Sequence, residues 1–442
     1  MALNNITTHS HSAAQRRGGV RRATQGNVAH GKAAQGRAAN AAQAAPTRPI
    51  YLDNAASTPM DERVIAAMMA CLGATGTFGN SASKDHVYGW EAAEVIEAAR
   101  DEVAQAVGCS PLELIFTSGA TESNNLAIRG LCLGLKEQAL AQGLTPKTHI
   151  ITTTVEHKAV LECCEALSHE GFSVTYLKPR RDGTVTMQML AEALTPNTCL
   201  VSISQANSVL GSLNNIDDLA QIARAAGAYY HSDCAQSNGL LYLELSDSAV
   251  SMVTLTPEKI YGPKGIGALY LKRSDNLPLK PLIVGGGHEK GLRGGTLATH
   301  QIAAMGKAFA LMTQERPEVQ AHLITLKAQL IAGLKTIPGA QLNGYLDPED
   351  LSSTPHLPGI VSVSFDGING QDLLPSLRKI ACSSGSACSS KELKPSYVLT
   401  EIGLDDNLAR ASLRLSLGRF NTPQDIEAAL DAIRQVVATL KA

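Results

Sequence analysis

Two residue types in this chain could do chemistry together: Lys259 in Thr254-Leu255-Thr256-Pro257-Glu258-Lys259-Ile260-Tyr261-Gly262-Pro263-Lys264-Gly265, and Cys388 in Ser383-Ser384-Gly385-Ser386-Ala387-Cys388-Ser389-Ser390. A lysine whose pKa is lowered by burial can condense with an aldehyde cofactor, and an accessible thiolate can attack sulfur. Few reaction classes need both. Small and hydroxylated neighbours leave Cys388 accessible on a loop able to move, whereas structural cysteines sit among apolar side chains. Cys382, six residues earlier, reads as the end of a buried strand.

Other groups fall in an order that suits such a site. Phe116-Thr117-Ser118-Gly119-Ala120-Thr121-Glu122-Ser123 places a small turn between strand and helix, where backbone N–H groups and the Thr121 hydroxyl can seat a phosphate. Alone, the stretch reads more readily as an ordinary capped turn than as a phosphate seat. Asp233 follows an apolar strand and precedes Gln236, at the strand end where open α/β sheets place ligands. It reads as a helix cap or as a carboxylate for a ring nitrogen. His157 has no second His or Cys at zinc-like spacing, so no metal site is expected. The run 285–295 would be a plain linker but for His288, Glu289 and Arg293 within it and Thr296 just after it.

The elements that must hold these groups follow from the apolar pattern. Short apolar segments at 114–116, 149–151, 174–176, 200–203, 229–231 and 252–254 alternate with helical stretches such as 91–107 and 216–226. That rhythm predicts an α/β fold, a largely parallel sheet covered by helices on both faces. A helix-rich stretch over 304–334, a strand at 360–364 and a closing helix over 423–440 capped by Asn421-Thr422 predict a smaller α+β domain. The expected division is a flexible basic arm over 1–48, a large domain over 62–312, and a small domain formed by 49–61 with 313–442.

The chain has 442 residues, a net charge of -2 and 44% hydrophobic residues, enough for two packed domains. No apolar run approaches the roughly 20 residues that span a bilayer, and no secretory signal is expected. Nine scattered cysteines without Cys-x-x-Cys spacing argue against a disulfide framework and for a reducing compartment, the cytoplasm. The arm is Arg-rich with no acidic residue before Asp53, which leaves a mitochondrial transit peptide as the alternative. Its lack of interleaved aromatics argues against nucleic-acid binding.

The segments 51–59, 117–125, 156–160, 259–267, 285–289, 293–296, 383–390 and 414–420 together resemble the cysteine desulfurases of the class V aminotransferase family, fold type I pyridoxal phosphate enzymes. The resemblance runs from about Ile50 onward and implies a homodimer that takes L-cysteine and passes sulfur to an acceptor protein. It implies that Lys259 forms the Schiff base and shuttles the Cα proton, Asp233 pairs with the pyridine nitrogen, Gln236 reaches the ring oxygen and His157 stacks on the ring. Thr121 with Ala120, and Thr256, would bind the phosphate, and Thr296 would reach it from the partner subunit. Asn207 and Arg414 would orient the substrate carboxylate, and Cys388 would carry the persulfide.

Two stretches depart from the family pattern. Thr256-Pro257-Glu258 stands where relatives carry Ser-Gly-His, so a carboxylate near the phosphate would repel it unless turned away, and weaker cofactor retention is expected. Gln205-Ala206-Asn207-Ser208-Val209-Leu210-Gly211 keeps the asparagine and loses its polar neighbours. A related lyase such as selenocysteine lyase, or a weakened relative acting as scaffold, stays open at this point.

Overall fold

The computed structural model describes residues 48–384 and 394–442; the predicted arm, but for its last residue Arg48, and Cys388 lie outside them. Strand β1 (Ile50–Tyr51) enters first, followed by β2 (Leu114–Thr117), β3 (His149–Thr153), β4 (Ser173–Leu177), β5 (Thr198–Ser202), β6 (Tyr229–Asp233), β7 (Met252–Leu255) and β8 (Gly267–Leu271). Strands β2 to β8 form a seven-stranded sheet in the order β2-β8-β7-β6-β5-β3-β4. Only β8 runs against the rest, pairing antiparallel with both β7 and β2.

Sequence pattern explains this sheet. β2, β3, β5 and β7 are buried at every position, as expected for strands covered on both faces. Successive side chains go to opposite sides: Phe116, Ile151, Val201 and Val253 join one apolar cluster, while Ile115, Ile150, Leu200 and Met252 join the other. Edge strand β4 is half-exposed.

A helix over Thr299–Lys335, 37 residues with Pro317 inside, runs along the helix Val87–Val107. Their close approach depends on Gly306, where a Cβ would stand 2.7 Å from Ala99 Cα. The chain then forms a second sheet from β9 (Ala340–Asn343), β10 (Ile360–Phe365) and, after β11 (Ile380–Ala381), β12 (Ser412–Ser416), in the order β12-β10-β9 and antiparallel throughout. β11 pairs parallel with β1. The last helix, Pro423–Lys441, opens with a capping box between Thr422 and Asp425, with proline in its first turn.

The expected strands and helices are present with ends moved by a few residues. Four strands escaped the sequence reading: the two-residue β1, β8, whose Gly-Ala-Leu-Tyr-Leu run follows a glycine-rich turn, the short β9, and β12, which carries Arg414.

Candidate active site

Beyond the C-terminal ends of β3, β5, β6 and β7 lies a cavity of about 580 Å³, the place where open α/β sheets take ligands. Lys259, Asp233, Gln236, His157, Ala120, Thr121, Thr256, Asn207 and Arg414 all line it. The fold therefore converges residues up to 294 positions apart, from Ala120 to Arg414, on one space.

Lys259 follows β7 by one turn, and its side chain is only 16% exposed. Its Nζ donates to the Ala56 carbonyl and lies 3.4 Å from Glu258 Oε2. Burial lowers its pKa; Glu258 and Asp233 pull upward and Arg414 adds to the lowering. A buried amine of reduced pKa is a better nucleophile than a solvated lysine.

Asp233 closes β6 with both oxygens held, Oδ2 by Asn124 Nδ2 at 2.7 Å and Oδ1 by the Ala235 N–H at 2.9 Å. Its rotamer is fixed before any ligand arrives. Gln236 donates from Nε2 to the Ala55 carbonyl at 2.8 Å. His157 caps the helix Lys158–Ser168, its Nδ1 accepting from the Ala159 N–H at 3.1 Å. The neutral ring therefore carries its proton on Nε2.

The predicted phosphate turn begins with Gly119 at φ +146, entering a helical run over Ala120–Asn125 that continues through a π-helical turn, Leu126–Gly130. The first N–H bonded back is that of Ser123, to the Gly119 carbonyl at 3.1 Å, so the N–H groups of Ala120 and Thr121 stand ahead of the helix ladder. A Cβ at Gly267 would lie 2.8 Å from the Gly119 backbone, which explains glycine where β8 passes this turn. Thr256 is buried, and its hydroxyl faces the Ile266 carbonyl at 3.5 Å.

Arg414 sits on β12, one-tenth exposed, with Nη2 donating to Asp53 Oδ1 at 2.8 Å and Nη1 to the Ser208 carbonyl at 3.1 Å. Among the described residues its buried Nε has no partner. A buried unpaired N–H beside a cavity is expensive, and it suits a ligand carboxylate received along the Nε edge. Asn207 is more committed: its Oδ1 accepts from the Val209 and Leu210 N–H groups at 2.9 and 3.0 Å, and its Nδ2 donates to the Val155 carbonyl at 3.1 Å. One amide hydrogen remains for a ligand.

Four groups were missed as site components. Asp53 and Ala56 lie in the 51–59 segment that carried the resemblance without a role; Asn124 fixes Asp233; and buried Glu156 accepts from the Thr153 hydroxyl and the Ser204 N–H, tying two cavity-lining loops together. Burial pushes the Glu156 carboxyl up to about 7 against those hydrogen bonds. Only the Glu-His dipeptide at 156–157 could have hinted at it.

The glycine-rich loop is moored by Glu289, at φ +47. Its buried carboxylate accepts from Arg100 Nη2 at 2.7 Å and the Phe116 N–H at 2.7 Å, and four residues on Arg293 pairs with Glu122 at 3.1 Å. Thr296 is exposed and does not line the cavity of its own chain. Among the described residues no cysteine lines the cavity either. Cys382 follows β11 as expected, and burial, with Asp53 nearby, pushes its thiol up to about 12. Cys388 lies outside the described residues, between cavity-lining Ser383 and Tyr397.

The donor set fits an anionic aldehyde with a ring nitrogen: a recessed amine, a fixed carboxylate at a strand end and unpaired N–H groups at a helix start. Among the described residues no cluster of His, Cys, Asp and Glu could hold a metal ion, and no helix is long and apolar enough to cross a membrane.

The family model for class V aminotransferases matches residues 50–429. The cysteine desulfurase IscS of Serratia proteamaculans is 44% identical over 393 residues, covering 89% of this chain and 94% of that protein. Among solved structures, a NifS-like protein superposes with a TM-score of 0.79 at 32% identity, covering 89% of this chain and 100% of its own. A structure described as SspA in complex with cysteine gives 0.71 at 36% identity, covering 84% and 99%. The chain belongs to the class V aminotransferase family and, within it, to the cysteine desulfurases.

Proposed function

We propose, from that membership and from the recessed Lys259 amine facing Asp233 and Arg414 across one cavity, how this cysteine desulfurase uses its residues. L-cysteine and the Cys388 thiol become L-alanine and a Cys388 persulfide: the substrate C–S bond breaks, an S–S bond forms, and no outside oxidant is needed. Pyridoxal phosphate supplies the carbonyl that captures the substrate amine and the ring that takes up charge from Cα.

The residues do the rest. Lys259 holds the carbonyl and then, as free amine, moves the Cα proton. Asp233, with both oxygens held by Asn124 and the Ala235 N–H, pairs with the ring nitrogen, and Gln236 and His157 orient the ring. Ala120, Thr121 and Thr256 hold the phosphate. Arg414 receives the substrate carboxylate along the edge bearing its unpaired Nε, assisted by the spare hydrogen of Asn207. We assign Cys388 as the sulfur acceptor because its segment is flanked by cavity-lining Ser383 and Tyr397, while every described cysteine lies off the cavity.

Thr296, exposed on a moored loop, is read as serving the cavity of a second copy in a homodimer. An acceptor protein then takes the sulfur. Residues 49–61 are grouped with 313–442 as the small domain, a reading supported by the β1–β11 pairing and by Arg419, which bridges Asp61 and Glu315. The bacterial relatives support a cytoplasmic setting.

The experiment is to incubate the protein with L-cysteine and measure alanine, the visible cofactor band and the mass added to Cys388. One sulfur on Cys388 per alanine in the first turnover is expected. Stoichiometric alanine from Cys388→Ser would overturn the nucleophile assignment.

A further inference from the structure

Glu258 is the carboxylate beside Lys259 in this cavity, and the reaction itself supplies no role for it. Its position is set by backbone rather than chance. Pro257 fixes the preceding φ, the Pro257 carbonyl accepts from the Ile260 and Gly262 N–H groups at 3.0 and 2.9 Å, and the Glu258 carbonyl accepts from Thr58 N and Oγ1 at 3.2 and 2.8 Å. With the main chain pinned on both sides, the side chain projects into the cavity, 29% exposed, and places Oε2 3.4 Å from Lys259 Nζ. Among the described residues this is the one ion pair Lys259 makes.

The expected repulsion between Glu258 and a bound phosphate therefore meets a different arrangement, in which the carboxylate faces a cation. We propose that Glu258 is the counter-ion of Lys259, a positioning residue that holds the amine as an ammonium against the Ala56 carbonyl until an aldehyde enters, and so sets the pH at which Lys259 becomes nucleophilic. This rests on Lys259 being the cofactor-binding amine.

The other charged groups act from farther away or are already engaged. Asp233 on β6 and Arg414 on β12 influence Lys259 in opposite directions. Asp53 is bound to Arg414, and Glu122 to Arg293. His157 and Lys158 face the cavity from the start of their helix. Burial favours the neutral amine, and Glu258 is the largest influence against it. An opposite charge at this distance moves a pKa by about one unit or more. Removing the carboxylate leaves burial opposed only by the more distant Asp233, so the amine deprotonates at lower pH.

The test uses the full chain stripped of cofactor and the probe pyridoxal, which lacks the phosphate. Labelling is followed across pH with borohydride trapping, and the modified lysine is located by peptide mass. In Glu258→Gln the midpoint for labelling Lys259 is expected to fall by about one unit, with several-fold faster labelling at neutral pH. Glu258→Asp should stay near the parent. Glu258→Ala should repeat the fall, which keeps the test decisive if the Gln variant folds poorly. An unmoved midpoint in both removal variants would overturn the proposal. So would unchanged pyridoxal labelling alongside altered affinity for pyridoxal phosphate, because the carboxylate would then act on the phosphate. Label on a different amine would instead sink the reading of Lys259 on which this one stands.

Discussion

The two sheets serve one cavity by different means. The seven-stranded sheet holds apolar side chains and neutral polar ones, such as Ser202 and Thr254 hydrogen-bonded to His231, along its inner strands and delivers its charged groups from strand ends: Asp233 is the last residue of β6, and Lys259 stands one turn past β7. The three-stranded sheet is buried but rich in hydroxyls, with Asn343 Nδ2 donating to Ser364 Oγ at 2.7 Å, which lies 2.7 Å from Ser412 Oγ. It delivers Arg414 from mid-strand, opposite Ser362. The large sheet places charge where the strand leaves the core, because an ion without a partner within it would go unsolvated. The small sheet admits a guanidinium mid-strand because Asp53 and the Ser208 carbonyl hold it.

Altering the mid-strand charge tests that contrast most severely. Arg414→Lys keeps the charge but loses the Nε edge and the fork held by Asp53 and Ser208. We expect kcat/KM for L-cysteine to fall about 10- to 100-fold, mostly through KM, since charge-assisted hydrogen bonds are worth about 1.5–3 kcal/mol. Steady-state kinetics beside an unchanged cofactor spectrum would establish this. A loss confined to kcat would mean that the arginine acts on chemistry instead.

Matched truncations compare the two interiors. Ile151→Ala in the large sheet should cost about 2–5 kcal/mol in denaturant unfolding. Ser364→Ala, which strands hydrogen-bonding groups of Asn343 and Ser412, should cost about 1–3 kcal/mol. Equal costs would dissolve the distinction.

The smallest effect concerns the seam that joins the first strand to the small sheet. Hydrogen bonding to Arg63 holds the Asp61 carboxyl down at about 2, with Arg419 adding to the lowering. A depressed carboxylate stabilises the fold above its unfolded pKa near 3.8, and that contribution is lost as pH falls toward 2. Asp61→Asn should therefore cost about 1 kcal/mol at neutral pH and converge with the parent in acid. A constant gap across that range would assign the effect to packing.

Legibility in the sequence divides along the same line. The strands of the large sheet announce themselves as apolar runs, and Asp233 and Lys259 follow from their place at strand ends. β8 was hidden because glycines precede it, and β9 because Ala-Gln-Leu-Asn is only four residues long and holds no β-branched or aromatic residue. The Asp53–Arg414 pair joins residues 361 positions apart, which no local pattern encodes. The burial of Glu156 depends on Ser204 from another loop, and the direction of Glu258 on Thr58 from the first segment.

Glu289 bears on how this chain can diverge. It and Lys290 take left-handed φ values of 47° and 59°, unusual for side chains of their size, and the clamp on Arg100 and the Phe116 amide outweighs that strain. Mutational drift therefore meets an uneven landscape: Gly286 and Gly287 hold φ values of 68° and 66° that a side chain would strain, and a swap at 289 takes the buried carboxylate from Arg100 and leaves the Phe116 amide without its acceptor at one stroke. Innovation in this loop is channelled to His288, whose φ of -62° any residue can take, with its footing inherited unchanged.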